Sequence, residues 1–187
     1  MKAILKKAII SSSLILICVV SLAFSLSFSL KDSINVEGIS SVSSGELIDS
    51  SVSLKGEPND YEHQVAALIN NYRVSNGLEP LAFDSTLIDV AKQRSSDMLD
   101  RNYFSHYTPE GTNVFNVLKG AGYSYRYAGE NLAQCQPASI GSADAFLNAW
   151  INSASHNQNM LRAQYTKIGV GMVENGSRRV VTTVFSN

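Results

Sequence analysis

The sequence predicts an α+β fold in which helices cover a small antiparallel sheet. Three observations carry that expectation. Apolar residues recur at intervals of three and four at Tyr61, Val65, Leu68, Ile69 and Tyr72, and Phe146, Leu147 and Trp150 share one helical face. Ile168, Val170 and Met172 alternate with Gly169 and Gly171, and Asn175-Gly176 separates them from a second apolar run, Val180 to Phe185. The order of elements is helices, one extended segment, a helix and a hairpin.

The first helix runs from Tyr61 and ends at Asn76-Gly77, a stop signal. Leu78, Pro80 and Leu81 make a short apolar connection. Asp84 is placed to cap a second helix that carries Leu87, Val90, Ala91 and Met98 inward and stops near Asn102. A short third helix spans Asn113 to Lys119 and is closed by Gly120 and Gly122. Tyr123, Tyr125 and Tyr127 alternate as in a strand or extended segment, with one face against the core expected ahead of a ligand groove. The fourth helix covers Ser142 to Asn152, with Trp150 in the core. Asn-Gly suits the positive backbone angles of a two-residue turn, so the chain ends in a hairpin centred on Asn175-Gly176.

These elements fill residues 58–187, the size of one compact domain. What precedes them has another character. Lys2, Lys6 and Lys7 lead into a charge-free run from Ala8 that is rich in Ile, Leu and Val, the layout of a secretory signal over 1–27. Small residues at Ser21 and Ala23, or Ser25 and Ser27, offer cleavage sites; left uncut, the stretch to Leu30 is long enough to anchor the protein in a membrane. Residues 28–57 read as a flexible linker, with eight serines from Ser33 to Ser53 and no aromatic residue between Lys31 and Pro58. Of the two cysteines only Cys135 lies beyond the signal, so the mature chain has no internal disulfide. A small buried thiol is its expected state.

The whole chain has a formal charge of −1, and without the three signal lysines it is −4. A mildly acidic domain offers no footprint for a phosphate backbone, which excludes nucleic acid as a main partner. The chemistry concentrates in Phe104-Ser105-His106, Ala128-Gly129-Glu130-Asn131-Leu132 and Ser155-His156-Asn157-Gln158-Asn159, all placed in loops or at helix ends. Two imidazoles and a carboxylate with open positions suit a divalent transition metal. Ser105 and Ser155 adjoin histidines but no nucleophile elbow accompanies them. Asn131 and Asn159 are expected to hold the histidine-bearing segments, and His63 to be solvated.

In this order the segments LINNYRVSNGLEPLAFDSTL, AKQRSSDMLDRNYFSHYTPEG, YAGENLA, AWINSASHNQNML and YTKIGVGM resemble the CAP superfamily (cysteine-rich secretory proteins, antigen 5, pathogenesis-related 1), also called the SCP domain. The bacterial secreted branch is the nearest pattern. The resemblance implies an α-β-α sandwich, helices on both faces of the sheet, with a cleft lined by histidines and acids. Carried over, the cleft residues are His106, Glu130 and His156, with Asn131 beside Glu130. Ser153 stands where the eukaryotic pattern has a second glutamate. With one carboxylate, His106, His156 and Glu130 would hold Zn²⁺ or a similar cation only weakly, and no cofactor is expected to be required. Glu130 is expected to meet one imidazole and to raise at least one histidine pKa, so that mild acid leaves the site intact. The resemblance implies a secreted or cell-surface module, without enzymatic activity, whose cleft binds a small ligand, lipid, cell-wall component or protein partner. The competing expectation is a metal-assisted or acid/base hydrolase using His106, Glu130 and His156.

Overall fold

The computed structural model describes residues 55–187; the signal at 1–27 and nearly all of the linker lie outside the described residues. Helix α1, Asp60–Ser75, opens with a reciprocal cap: Glu62 N–H donates to Asn59 Oδ1 at 2.9 Å, and Asn59 N–H donates to Glu62 Oε2 at 2.8 Å. Val65, Ala66 and Ile69 are buried on its inner face. Helix α2, Ser85–Asp100, is capped by Asp84, which accepts from Thr86 and Leu87 N–H. Helix α3, Val114–Gly120, follows the cap at Asn113; α4, Ala143–Ile151, follows Ser142. Gly56 is already buried and donates to Asp89 of α2, so packing begins two residues before Pro58.

Four strands form one sheet in the order β1-β3-β4-β2: β1 Ala82–Phe83, β2 Ala128–Cys135, β3 Lys167–Glu174 and β4 Arg179–Ser186. Strands β2, β3 and β4 are antiparallel, with Glu130 opposite Val184 and Val170 opposite Thr183. The short β1 joins parallel to β3. Successive side chains of a strand face opposite sides, and each side has its own cover. Ile168, Val170, Val181 and Phe185 pack with α1 and α4, whereas Leu87, Val90 and Ala91 of α2 pack with Val184 and α3. This is the α-β-α sandwich.

Gly169 and Gly171 explain how closely α2 approaches. A Cβ built on either would run into the α2 backbone, at Leu87–Ile88 and at Ala91–Lys92 respectively. The glycines that alternate in β3 are thus a seat for a helix, and Ser95 Oγ donates there to Gly171 O at 2.8 Å. On the other face, buried Arg73 of α1 donates to the carbonyls of Glu79, Met160, Arg162 and Tyr165, tying together the chain that leads into β3.

Several expectations need correction. Tyr123 to Tyr127 is not a strand, and Tyr125 and Tyr127 are exposed rather than turned to the core. Ala128 to Leu132, expected in a loop, begins β2. Ser155 to Asn159, also expected in a loop or at a helix end, lies within a fifth helix, α5, Ala154–Met160. The hairpin turn centres one residue later than expected: Asn175 N–H donates to Arg178 O, and Asn175 Oδ1 accepts from Ser177 and Arg178 N–H. Gly176 therefore takes the first central position, with φ of 81°.

Candidate functional site

Strand β2 is an edge strand, and the polar segments meet on it. Glu130 projects toward the α2 side and is buried to 3% side-chain exposure beside Arg94, which is at 1%. Arg94 Nε donates to Glu130 Oε1 at 3.0 Å, and its other nitrogens donate to Tyr103 Oη and Ser105 O. Burial alone would pull the guanidinium pKa down, but the charge and hydrogen bond of Glu130 outweigh it and hold it up. Glu130 Oε2 lies 2.7 Å from His106 Nδ1. An ionised carboxylate only accepts, so Nδ1 carries the proton and donates. The imidazole is thereby fixed at one nitrogen, while its side chain stays 51% exposed.

Asn131, the next residue, faces the opposite side and is fully buried. Its Nδ2 donates to His156 O at 3.0 Å, and Asn159 Nδ2 donates both to Asn131 Oδ1 and to Glu130 O. Both asparagines therefore hold the histidine-bearing segments, as expected. His156 Nδ1 meets Ser153 Oγ at 2.7 Å. Its pKa is lowered, first by burial and then by the charge of His106. The upward shift expected of at least one histidine is not found at His156, where burial and the charge of His106 push the pKa down.

A cleft of about 340 Å³ opens along the β2 edge, within the usual range for ligand sites. His106, Glu130, Asn159, Arg162 and Tyr165 line it, with Tyr107 and Phe115 at its rim. Its floor depends on Gly129, where a Cβ would collide with Tyr165 Oη and press on Asn159 Oδ1. His156 is close enough to His106 for the two imidazoles to interact, with Ser153 Oγ on its Nδ1 and Asn131 on its carbonyl. Asn159, which lines the cleft, links Asn131 to it.

The donor set does not fit a tightly bound metal. Both Glu130 oxygens are engaged, and among the described residues no group of three His, Cys, Asp or Glu side chains is placed to hold a metal ion. Nor, among the described residues, is Ser105 or Cys135 in place as a nucleophile beside His106. Ser105 Oγ accepts from Tyr107 N–H, and Cys135 is buried five residues further along β2, about 17 Å at strand rise, with its thiol donating to Ala138 O. His63 is exposed, as expected, with its ring edge-on to Phe83.

Sequence reasoning missed Arg94, Arg162, Tyr165 and Phe115. Arg94 had a legible signal, since it falls on the Leu87, Val90, Ala91, Met98 stripe of α2, where a charge must have a buried partner. The other three had none, because their place at the cleft is decided by how α3 and the α5–β3 connection fold back on β2.

Residues 66–186 match the model of the CAP family, described as the cysteine-rich secretory protein family. Among curated proteins the chain is 39% identical over 132 residues to the uncharacterized protein YkwD of Bacillus subtilis, covering 71% of this chain and 50% of that one. It is 33% identical over 111 residues to the uncharacterized membrane protein YlbC of the same organism, covering 59% of this chain and 31% of YlbC. The chain thus spans half or less of the curated relatives it matches. An extracellular protein containing an SCP domain from Bacillus anthracis superposes with a TM-score of 0.60 at 35% identity, over 68% of this chain and 40% of that one. An outer surface protein from Borrelia burgdorferi shares the fold at a TM-score of 0.62 and 22% identity, over 69% of this chain and 96% of that one. With its sandwich, its edge-strand cleft and its match over most of the described residues, the chain belongs to the CAP family of cysteine-rich secretory proteins.

Proposed function

We propose that the domain is an extracellular binding module whose cleft takes a small hydroxylated carboxylate, such as a sugar acid. The observation that carries this is the His106–Glu130–Arg94 chain. Arg94 neutralises Glu130 inside the protein, and Glu130 fixes His106 Nδ1, which leaves Nε2 as the ring nitrogen oriented to meet a ligand hydroxyl. Arg162, whose guanidinium lies 5.6 Å from the Tyr165 ring centroid, supplies the positive charge of the cleft and is suited to a carboxylate. The extracellular location of the SCP-domain relative from Bacillus anthracis supports placing this module outside the cell.

One observation favours the hydrolytic alternative: an imidazole oriented by a carboxylate is the geometry of a general base. Neither Ser105 nor Cys135 is placed beside it as a nucleophile, which favours binding over a covalent route. Nuclear magnetic resonance titration with glucuronate and, separately, glucose tests this. Glucuronate should perturb His106 and Arg162, and Arg162→Ala should weaken it about tenfold, the 1.4 kcal/mol of one contact. Equal responses to the two sugars, or turnover of an activated glycoside lost in His106→Ala, would overturn it.

A further inference from the structure

A second groove of about 560 Å³ adjoins the first, and the two share Phe115 as a common wall. Its lining comes from α3 and the tyrosine segment: Phe115, Asn116, Lys119, Tyr123, Ser124 and Tyr125. The rings of Phe115 and Tyr125 have centroids 6.4 Å apart and planes inclined at 40°, so they form an open wedge rather than a closed stack. Phe115 is 41% exposed and Tyr125 36%. Large rings left in water beside a groove mark a binding face more often than a folding need.

We infer that this groove continues the cleft as a binding track for an acidic oligosaccharide, with Phe115 and Tyr125 as stacking platforms and Lys119 as a second carboxylate contact; the inference rests on the sugar-acid reading of the cleft. Three features select that occupant. A pyranose offers C–H groups on one face and hydroxyls around its rim, which matches aromatic faces flanked by Asn116 and Ser124. Asn116 uses Oδ1 for the α3 cap and keeps its amide hydrogens for a ligand. No aliphatic residue lines the groove, as an acyl chain would require. The charges complete the match. Lys119 in the groove and Arg162 in the cleft form no ion pair among the described residues, and the one lining carboxylate, Glu130, is already matched by Arg94. A positive track on a domain of net negative charge recruits anions, here carboxylates carried on successive sugars.

The test is calorimetric titration of the domain with a hyaluronan hexasaccharide, with chitohexaose as its uncharged counterpart and glucuronate as the single-sugar acid. The hexasaccharide should bind at least about tenfold tighter than glucuronate and chitohexaose. Tyr125→Ala and Lys119→Ala should each cost about tenfold for the hexasaccharide, or 1.4 kcal/mol, and leave glucuronate unchanged. Both substitutions are at the surface, and unchanged thermal melting verifies the fold. If glucuronate binds through Arg162 but the hexasaccharide is no tighter and ignores Tyr125, the track is overturned and the cleft proposal stands. If the hexasaccharide responds to Tyr125 and Lys119 but glucuronate does not bind, the groove is supported and the cleft proposal falls. Binding of neither overturns both.

Discussion

Glu130 and Asn131 are adjacent on the edge strand yet serve opposite sides of the sheet: the carboxylate of Glu130 holds the His106 ring, and the amide of Asn131 holds the His156 backbone. Alternation along a strand is what separates the two tasks. Each side chain is buried and fully occupied, so both act by positioning while His106 remains at the surface.

The Glu130–Arg94 pair is the costliest part of this arrangement to disturb. Removing one partner of a buried ion pair leaves the other uncompensated, at roughly 3–5 kcal/mol. Glu130→Gln should therefore lower stability by about that amount in urea unfolding, and Arg94→Met/Glu130→Gln should recover part of it. A loss below about 1 kcal/mol for Glu130→Gln would show that the pair is solvated.

Stability should also respond to mild acid through His156. Its folded pKa is depressed by burial and by His106, so it lies below the unfolded value of ~6.5. Between those two values the unfolded chain binds more protons, and stability rises with pH. It is therefore lost progressively as pH falls through about 6.5, the opposite of the sequence expectation. Urea midpoints from pH 5 to 7.5 should slope less steeply in His156→Gln than in the wild type; identical slopes would refute the assignment.

The seat of α2 is tested by Gly169→Ala. The added methyl meets helix backbone that cannot swing aside, so overpacking should cost roughly 1–3 kcal/mol or more. Gly120→Ala, where nothing lies within 4 Å, is the control and should be neutral.

How far the sequence was legible follows from where each residue finds its partners. Helices α1, α2 and α4 announced themselves because their apolar faces are local, and α2 also through its cap, Asp84. Strand β2 did not, because Glu130, Asn131 and Gln134 are polar on both faces and are satisfied by Arg94, Asn159 and Arg178 from distant segments. The tyrosine alternation was only half legible: Tyr123 packs partly against the core, while Tyr125 is exposed along a groove. Family resemblance pointed to His106, Glu130 and His156, and the structure adds what holds each histidine: Glu130 for His106, Ser153 and Asn131 for His156.

Metal removal should leave the cleft unchanged. With both Glu130 oxygens engaged and Ser153 facing His156, treatment with a strong chelator should alter neither the melting temperature nor glucuronate affinity. Loss of binding that Zn²⁺ restores would contradict the donor geometry.

The most direct measurement is long-range ¹H–¹⁵N correlation of the His106 ring during glucuronate addition. The account predicts a protonated Nδ1 that stays hydrogen-bonded throughout and an Nε2 resonance that moves with saturation. Absence of the Nδ1 hydrogen bond in the free protein, or a ligand response that leaves His106 untouched, would contradict it.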